Sequence, residues 1–560
     1  EINFPSLIEA QIASFEDFYK SGFQRLFSDI NPVKDTMEKM WTLEFKDFRY
    51  GNPYRSIEEA VAKGLSYEIP VYAKVQLLNN KTGEIKEQEI FITDLPLMTD
   101  DGVFVFNGVR RVVTHQIVRA EGVLYEESDK LPNRTLYKAR LMPGRGPWYE
   151  IDTNKHNVIS MRILPKRPRV LITELLRVLG WESDDEIRKL FAEVDTNEEN
   201  KYIESTLARD FTKNKEEAVI SIYNKLRPDE SVTLDSAEKY IKSNFFNPRK
   251  FYLGKIGRYQ IDRKLGTNHN YNNPDEANLY PEDLILIVKR LIQINNGTVE
   301  PDDIDHLSNR RIRSVGEILE RQLSAGLRRL EKNIKDKMSL YGQDSKLTPS
   351  MLVSTKPISA SIQSFFGANA LSSFMDQTNI LSELENKRKV TAGGPGGVAK
   401  ERATFSIREV HNSHYGKFDP VTSPEGPNIG VVTQLAMLAR INEFGFLESP
   451  YRKVIKEIAP NGKNLVNRIL VDEVSGVKAG KLMDEKDAEK ISKDKSVKSV
   501  KVVPYISDEV IYFDAMQEEE HHIAPANVKT DECGNIIDTL IPVRHSGEFL
   551  FEDVHVVDFI

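Results

Sequence analysis

Residues 371–379 read Leu371-Ser372-Ser373-Phe374-Met375-Asp376-Gln377-Thr378-Asn379, and they lie in a segment, 363–430, unlike the rest of the chain. Phe365-Phe366-Gly367 precedes them; Leu381-Ser382-Glu383-Leu384 and Lys387-Arg388-Lys389 follow. Two loops rich in Gly and Pro come next, Gly393-Gly394-Pro395-Gly396-Gly397 and Pro424-Glu425-Gly426-Pro427-Asn428. Around them stand Lys387, Arg388, Lys389, Lys400, Arg402, Arg408, His411, His414 and Lys417. Glycine lets a backbone approach a ligand closely and proline stiffens the path, while flanking basic side chains can track phosphates. On these grounds the segment is either a loop system facing a polyanion or a structural one. A nucleotide P-loop is excluded, because no Gly-Lys-Ser/Thr follows the glycines.

Upstream lies the clearest helix, where Val315, Ile318, Leu319, Leu323, Leu327, Leu330, Ile334 and Met338 recur at helical spacing. Residues 306–340 carry nine Lys/Arg (310, 311, 313, 321, 328, 329, 332, 335, 337) against four acids (317, 320, 331, 336). That surplus of nine minus four is either a solvated face or one turned to phosphates. From Tyr72 to Ile92 the apolar period is that of strands, and Asn79-Asn80-Lys81-Thr82-Gly83 supplies a hairpin turn. Asn107-Gly108 interrupts a second strand-like run, Val103–Val113, with a two-residue turn signal. Residues 1 to about 30 read as an amphipathic helix through Leu7, Ile8, Ile12, Phe15 and Tyr19. Residues 170–245 read as helical and locally acidic (Glu182, Asp184, Asp185, Glu186, Glu193, Asp195, Glu198, Glu199), which implies a solvated face. Asp195–Glu199 lacks the Gly of a calcium loop. The mixture specifies an α+β, multi-domain chain of helices and antiparallel sheets.

Composition narrows the class. The 560 residues are 40% hydrophobic and 29% charged, as in folded protein, and carry a net charge of -8. A domain built to bind polyanions everywhere is usually basic, so any nucleic-acid contact is confined to local surfaces. The single Cys533 excludes a disulfide framework and points to a reducing, cytoplasmic compartment. No run of about 18 apolar residues could form a membrane helix. The first residue is Glu1 rather than Met, which implies a missing start.

The 363–430 segment resembles the rifamycin-binding region of bacterial RNA polymerase β subunits. Gly394-Pro395-Gly396-Gly397, Glu401-Arg402-Ala403, His414-Tyr415-Gly416 and Ser423-Pro424-Glu425-Gly426-Pro427-Asn428-Ile429-Gly430 continue the resemblance in register. Asp94-Leu95-Pro96-Leu97-Met98-Thr99 with Phe104-Val105-Phe106-Asn107-Gly108 looks like the family's protrusion. Arg140-Leu141-Met142-Pro143 resembles the entry to its lobe, and Asp302-Asp303-Ile304-Asp305-His306-Leu307 with Asn309-Arg310-Arg311 the return. Arg440-Ile441-Asn442-Glu443-Phe444-Gly445-Phe446 leads into the next region. Val109-Arg110-Arg111, Arg119-Ala120-Glu121-Gly122 and Ile523-Ala524-Pro525-Ala526-Asn527 depart from the family's Thr-Glu-Arg, Arg-Ser-Pro-Gly and Ile-Ala-Gln-Ala-Asn, and imply a divergent lineage.

The resemblance implies a helical lobe, 144–300, inserted into a protrusion made of 1–143 and 301–368. A fork and rifamycin-binding region, 369–440, would follow, then the start of an external region, 441–560. Val556-Val557-Asp558-Phe559-Ile560 looks like a family motif broken before its Asp-Val-Ser-Pro, which implies truncation, or else a naturally split gene. Among implied nucleic-acid-facing residues, Lys400 and Arg402 match the fork loop at the downstream edge of the bubble, Glu425 and Asn428 lie near the RNA–DNA hybrid, and Lys389 is the remaining basic one in this region. Arg140, Asp305 and Arg310 would read a downstream non-template base, a task that suits Arg and Asp; an ion pair between Asp305 and Arg310 is the competing reading. Ser373, Phe374, Asp376, Asn386, Thr391 and Pro424 match the rifamycin pocket, with Ser373 in place of the usual Gln and Asn386 in place of His.

No metal site and no catalytic residue are expected in this chain. The family's Mg2+ is held by an Asn-Ala-Asp-Phe-Asp-Gly-Asp loop of the β′ partner, and that string is absent here. Glu518-Glu519-Glu520 before His521-His522 reads as solvated charge, since adjacent residues on a helix point apart. The implied partners are the β′, α and σ subunits, template and non-template DNA and nascent RNA, with no membrane and a nucleoid-associated location. An independent single-strand-binding protein or an assembly scaffold are the other readings. The first would need stacking aromatics alternating with basic residues, whereas the aromatics here sit mostly in apolar stripes.

Overall fold

In the computed structural model, residues 6–35, 40–132, 134–163, 168–227, 233–245, 247–274, 276–341, 347–460, 462–494 and 496–560 are described. The chain divides into two units, one made of Glu1–Val118 and His306–Ile560, the other of Arg119–Asp305. Helices mix with open, largely antiparallel sheets throughout.

The helix expected at Val315–Met338 spans Val315–Tyr341, and every apolar position of its stripe is buried. It packs on helices Glu9–Asp17 and Phe23–Ser28, which a π-helical turn, Phe18–Gly22, joins, and on helix Lys356–Ala368. Two glycines permit these crossings. A Cβ on Gly316 would lie 2.3 Å from the Ser14 carbonyl oxygen, and one on Gly326 would lie 2.7 Å from Ser361 Oγ and 2.9 Å from the Pro357 oxygen. Gly316 N–H also donates to Ser14 Oγ at 2.9 Å. Phe15, Phe18, Phe23 and Phe27 extend this core to Leu43 and Phe45 of a four-stranded sheet. That sheet runs Val33–Lys34, Trp41–Tyr50, Glu68–Asn79, Ile85–Pro96 in spatial order. Its last hairpin turns where Asn79 Oδ1 accepts from the N–H groups of Lys81 and Thr82.

Asn107 and Gly108, at φ 50° and 75°, form the tight turn between strands Phe104–Phe106 and Val109–Val113. The second of these strands pairs with Ser372–Phe374, Ser373 opposite Val112. A further sheet orders Arg310–Arg313, His115–Arg119, Lys389–Thr391 and Val432–Gln434. His115–Arg119 and Lys389–Thr391 are parallel in it. Downstream, Leu447–Ile458 pairs with the long strand Val500–Asp514, and a hairpin, Leu540–His545 with Glu548–Asp553, follows.

The second unit begins at Arg119, ahead of the boundary expected near 144. The reason is pairing: Gly122–Leu131 and Arg134–Met142 are the edge and next strand of a five-stranded antiparallel sheet completed by Tyr149–Thr153, Ile159–Ile163 and Val170–Leu171. Seven helices from Ile172–Leu179 to Pro281–Asn295 complete the unit among its described residues, so it is helical only in its later part. Asp184, Asp185 and Glu186 occupy the first turn of helix Asp184–Phe191, whose Ser183 cap accepts from Glu186 N–H. Acids there favour the positive end of the helix dipole. Asp195 accepts from Tyr202 N–H and Ile203 N–H at 3.1 and 2.9 Å, a capping task. Arg258, fully buried, holds Asp262 and Asp283 at 2.7 and 2.6 Å. Among the described residues no helix is long and apolar enough to cross a membrane.

A methyl group at position 316 has nowhere to go but into the backbone of the neighbouring helix. Gly316→Ala should therefore destabilise the first unit by about 1–3 kcal/mol, read as a lower denaturant midpoint for its unfolding.

Candidate nucleic-acid interface

Both Gly/Pro loops hang from the sheet that contains Lys389–Thr391. The first leaves that strand directly, and the Gln116 amide, buried in the neighbouring strand, donates to the Gly393 and Pro395 carbonyls at 2.9 and 3.2 Å. Thr391 Oγ1 accepts from Gly393 N–H at 3.1 Å. The second loop makes a short 3-10 turn, Gly426–Asn428, and returns to Val432–Gln434. Arg408 clasps it, donating to the Pro427 and Ile429 carbonyls at 3.0 and 2.7 Å. Gly430, at φ 67°, is held so near Arg408 that a Cβ would lie 2.2 Å from its carbonyl oxygen.

Most of the basic residues read as phosphate-tracking turn inward. Arg388 donates to the Leu7, Leu435 and Ala436 carbonyls at 2.6, 3.1 and 2.6 Å, and Lys387 is buried. His411 shares a hydrogen bond with Ser413 Oγ at 2.8 Å and donates its backbone N–H to His414 Nδ1. Burial, with the charges of Arg310 and His411 nearby, pushes the His414 imidazole down to about 3, so it is neutral at pH 7. Lys417 is fully buried against the Glu518 carboxylate. Tyr451 hydroxyl donates to the same carboxylate at 2.5 Å, and Arg544 pairs with it at 3.0 Å. Carbonyls just past strand Val432–Gln434 need donors, and Arg388 supplies them.

Glu518 corrects the reading of the 518–522 run as solvated charge, for it is 5% exposed. Nothing in its local sequence marks it, since its partners stand at 417, 451 and 544. Gln116 went unread for the same reason. Among the described residues no group of three or more His, Cys, Asp or Glu could hold a metal ion.

Facing outward are fewer groups. Arg402, in the turn Lys400–Arg402, is exposed, with no side-chain hydrogen bond or ion pair among the described residues. The Lys400 side chain lies outside the described residues. Lys389 is half-buried, 3.7 Å from Glu385, and Glu425 is exposed. Asn428 is half-buried and its Oδ1, also buried, has no partner among the described residues.

Ser373 is half-buried on its strand, and Phe374 beside it is 64% exposed with the Arg111 guanidinium 4.5 Å from its ring centre. Asn386 is buried, its Nδ2 3.4 Å from the Phe374 carbonyl. Asp376 is exposed and accepts from the Thr378 hydroxyl and N–H at 2.6 and 3.0 Å, bonds that hold its carboxyl below the usual range. The charge of Lys389 adds a little to that lowering. Pro424 is half-buried in the second loop.

Arg140 and Asp305 belong to the inserted unit and Arg310 to the other. Arg140 sits between Glu126 and Glu150 at 2.6 and 2.8 Å, 5.7 Å from the Trp148 ring. Burial alone would raise the Glu150 carboxyl, but hydrogen bonds from Arg140 and Arg162 and the charge of Lys138 outweigh it and bring it to about 2. Asp305 is half-buried and its N–H donates to Asp303 at 2.9 Å. Arg310 is half-buried at the start of strand Arg310–Arg313.

One unit is built from two stretches of chain and holds the Gly/Pro loops, and a sheet-and-helix unit is inserted between those stretches in the sequence. Three family models match: "RNA polymerase Rpb2, domain 2" over residues 119–313, domain 3 over 373–441, and the "RNA polymerase beta subunit external 1 domain" over 495–560. The first of these starts at the residue where the inserted unit starts. The chain is 40% identical to the DNA-directed RNA polymerase subunit beta of two strains of Dehalococcoides mccartyi, over 566 residues that cover 100% of this chain and 44% of each relative. It is 38% identical to that of Chloroflexus aggregans over 629 residues, 100% of this chain and 51% of the relative. The chain belongs to the bacterial-type RNA polymerase β subunit family, and it spans about half the length of the curated relatives it matches.

Removing Glu518 would strand Lys417 and Arg544 without their counter-charge. Glu518→Ala should cost about 3–5 kcal/mol, and the combined change Lys417→Met, Glu518→Leu and Arg544→Met should recover much of it. Urea unfolding of the parent and the two variants checks both.

Proposed function

We propose that this chain forms one side of the DNA cleft and of the RNA–DNA hybrid channel of a DNA-dependent RNA polymerase. The observation that carries the proposal is similarity to polymerase β subunits along the whole chain at about 40% identity. The inserted unit, 119–305, is the lobe in this reading; the earlier residues and 306–368 form the protrusion; 369–440 holds the fork and rifamycin-binding region; and 441–560 begins the external region.

Chemistry belongs to the partner. Nucleotidyl transfer needs two metal ions about 4 Å apart, and the β′ subunit would hold that Mg2+ pair. This chain positions nucleic acid. Arg402 and Lys400 lie at the downstream edge of the bubble, Glu425 and Asn428 beside the hybrid, Arg140, Asp305 and Arg310 near a downstream non-template base, and Lys389 also faces nucleic acid. The exposed guanidinium of Arg402, without an ion pair among the described residues, supports its assignment, whereas Arg140 would have to exchange its carboxylates for a base. The α and σ subunits complete the assembly, which is cytoplasmic and nucleoid-associated.

Two measurements test the proposal. The purified chain alone should show no template-directed synthesis, and activity from it would refute the assignment of chemistry to the partner. In the assembled enzyme, Arg402→Ala should slow elongation or destabilise the bubble by about 1.5–3 kcal/mol without hindering assembly. Failed assembly with normal elongation by the surviving enzyme would make Arg402 structural.

Rifamycin affinity follows from the same reading. Ser373 is too short to span the reach of a Gln amide, and the buried Asn386 directs its amide to Phe374 rather than presenting a ring. Each lost neutral hydrogen bond costs about 1 kcal/mol, and about 1.4 kcal/mol is tenfold in affinity. The polymerase should bind rifampicin at least about tenfold more weakly than its Ser373→Gln, Asn386→His variant, measured as inhibition of full-length transcription. Equal sensitivity would show that these positions do not set affinity.

A further inference from the structure

The turn that carries Lys400 and Arg402 and the Gly/Pro loop at 424–430 are both surface excursions. From Glu401 to Val410 only Ala403, Ile407 and Arg408 are not exposed, and from Val421 to Gly430 only Pro424, Asn428 and Gly430. Segments with so little buried surface open locally at small cost, so a few polar contacts must fix their positions. One side chain makes such contacts with both. Arg408 ends the single helical turn Phe405–Arg408 that follows Arg402. Its Nη1 donates to the Pro427 and Ile429 carbonyls at 3.0 and 2.7 Å, and its Nε reaches back to the Ala403 carbonyl at 3.4 Å. The guanidinium is a rigid, planar fork whose donors keep fixed directions, so a shift on one side of it is passed to the other. Backbone packing reinforces the clasp. Gly430, at φ 67°, lies so close that a Cβ would stand 2.2 Å from the Arg408 carbonyl oxygen and 2.4 Å from its Cα.

We propose that Arg408 is a positioning residue for RNA chain extension, clasping the Lys400–Arg402 turn to the Pro427–Ile429 stretch so that the two move as one. The clasp rests on geometry alone; its role rests on the polymerase reading, in which Arg402 stands at the edge of the bubble and Glu425 and Asn428 beside the hybrid. Arg408 directs Nη1 and Nε to protein carbonyls, whereas the guanidinium of Arg402 is exposed. Two arginines of one short stretch thus take different tasks, one facing outward and one holding the loops that face outward. A misplacement of about 1 Å far from the chemistry can cost on the order of 100-fold in rate, so the clasp bears on rate rather than on stability.

Hydrogen exchange on the full chain tests the clasp, and single-nucleotide addition by the assembled polymerase tests its role. Two variants break the clasp in different ways. Arg408→Met removes the donors and keeps an unbranched side chain, while Gly430→Ala forces the backbones apart. In both, residues 400–408 and 424–430 should lose about 10- to 100-fold of their exchange protection together, with the unfolding midpoint of the chain unchanged. A loss confined to one segment, or in neither, overturns the clasp, and a lowered midpoint would make Arg408 a structural residue. In the polymerase, Arg408→Met should lower the maximal rate by about 10- to 100-fold with little change in KM for the nucleotide. The deciding measurement is a double-mutant cycle. With the clasp broken Arg402 is already out of place, so Arg402→Ala should cost far less in the Arg408→Met background than in the parent. Losses that multiply, as for independent sites, overturn the positioning role. Primer extension by the assembled parent checks the polymerase reading separately: its failure beside a clasp shown by exchange would remove that reading and leave the clasp.

Discussion

A chain that leaves a core at Val118 and re-enters it at His306 must close that core with side chains from both sides of the excursion. The Val315–Tyr341 helix does this. Its apolar stripe is the surface on which helices Glu9–Asp17, Phe23–Ser28 and Lys356–Ala368 all pack, so it joins segments that are hundreds of residues apart. Close approach is what makes the joint firm. Gly316 and Gly326 let backbones meet where any side chain would hold them apart, at the modest helical cost of about 1 kcal/mol per glycine. A long insertion adds little to the entropy of closing the core, which grows only with the logarithm of loop length. The inserted unit can therefore carry a sheet and a core of its own.

Strand pairing transmits this joint to the loops. Arg310–Arg313 lies beside His115–Arg119, which lies beside Lys389–Thr391, and the first Gly/Pro loop starts where that strand ends. Loops without regular structure leave carbonyls unpaired, and an unpaired buried carbonyl is costly. Gln116 meets that need in the first loop and Arg408 in the second. Each loop is thus braced by a long side-chain donor from outside it.

The buried cluster of Lys417, Tyr451, Glu518 and Arg544 plays a comparable part farther along, tying the stretch between the two Gly/Pro loops to strands and turns after residue 447. Buried pairs of this kind are weak evidence for stability but lose much when one partner goes. Two cations share one carboxylate here, and the tyrosine hydroxyl satisfies the same oxygen that Lys417 meets. A residue set with net positive charge is accordingly hidden rather than offered to nucleic acid, in keeping with a chain that is acidic overall.

Local signals in the sequence determined the elements whose physics is local. The stripe from Val315 to Met338 required a helix because its period is 3.6 residues, and Asn107-Gly108 required a tight turn because both positions adopt φ above zero. The motif run from Phe365 to Gly430 carried the family by itself. Tertiary structure alone decided which charges face outward. Lys387, Arg388, Arg408 and Lys417 look like Arg402 in the sequence, yet the first four serve acceptors or burial inside and Arg402 does not. It also decided that the inserted unit starts at Arg119, since strands at 122–131 and 134–142 belong to whichever sheet pairs with them. Hydrogen-bond partners and ion pairs join residues remote along the chain, and periodicity, which reports only on neighbours one or two turns away, holds no record of them.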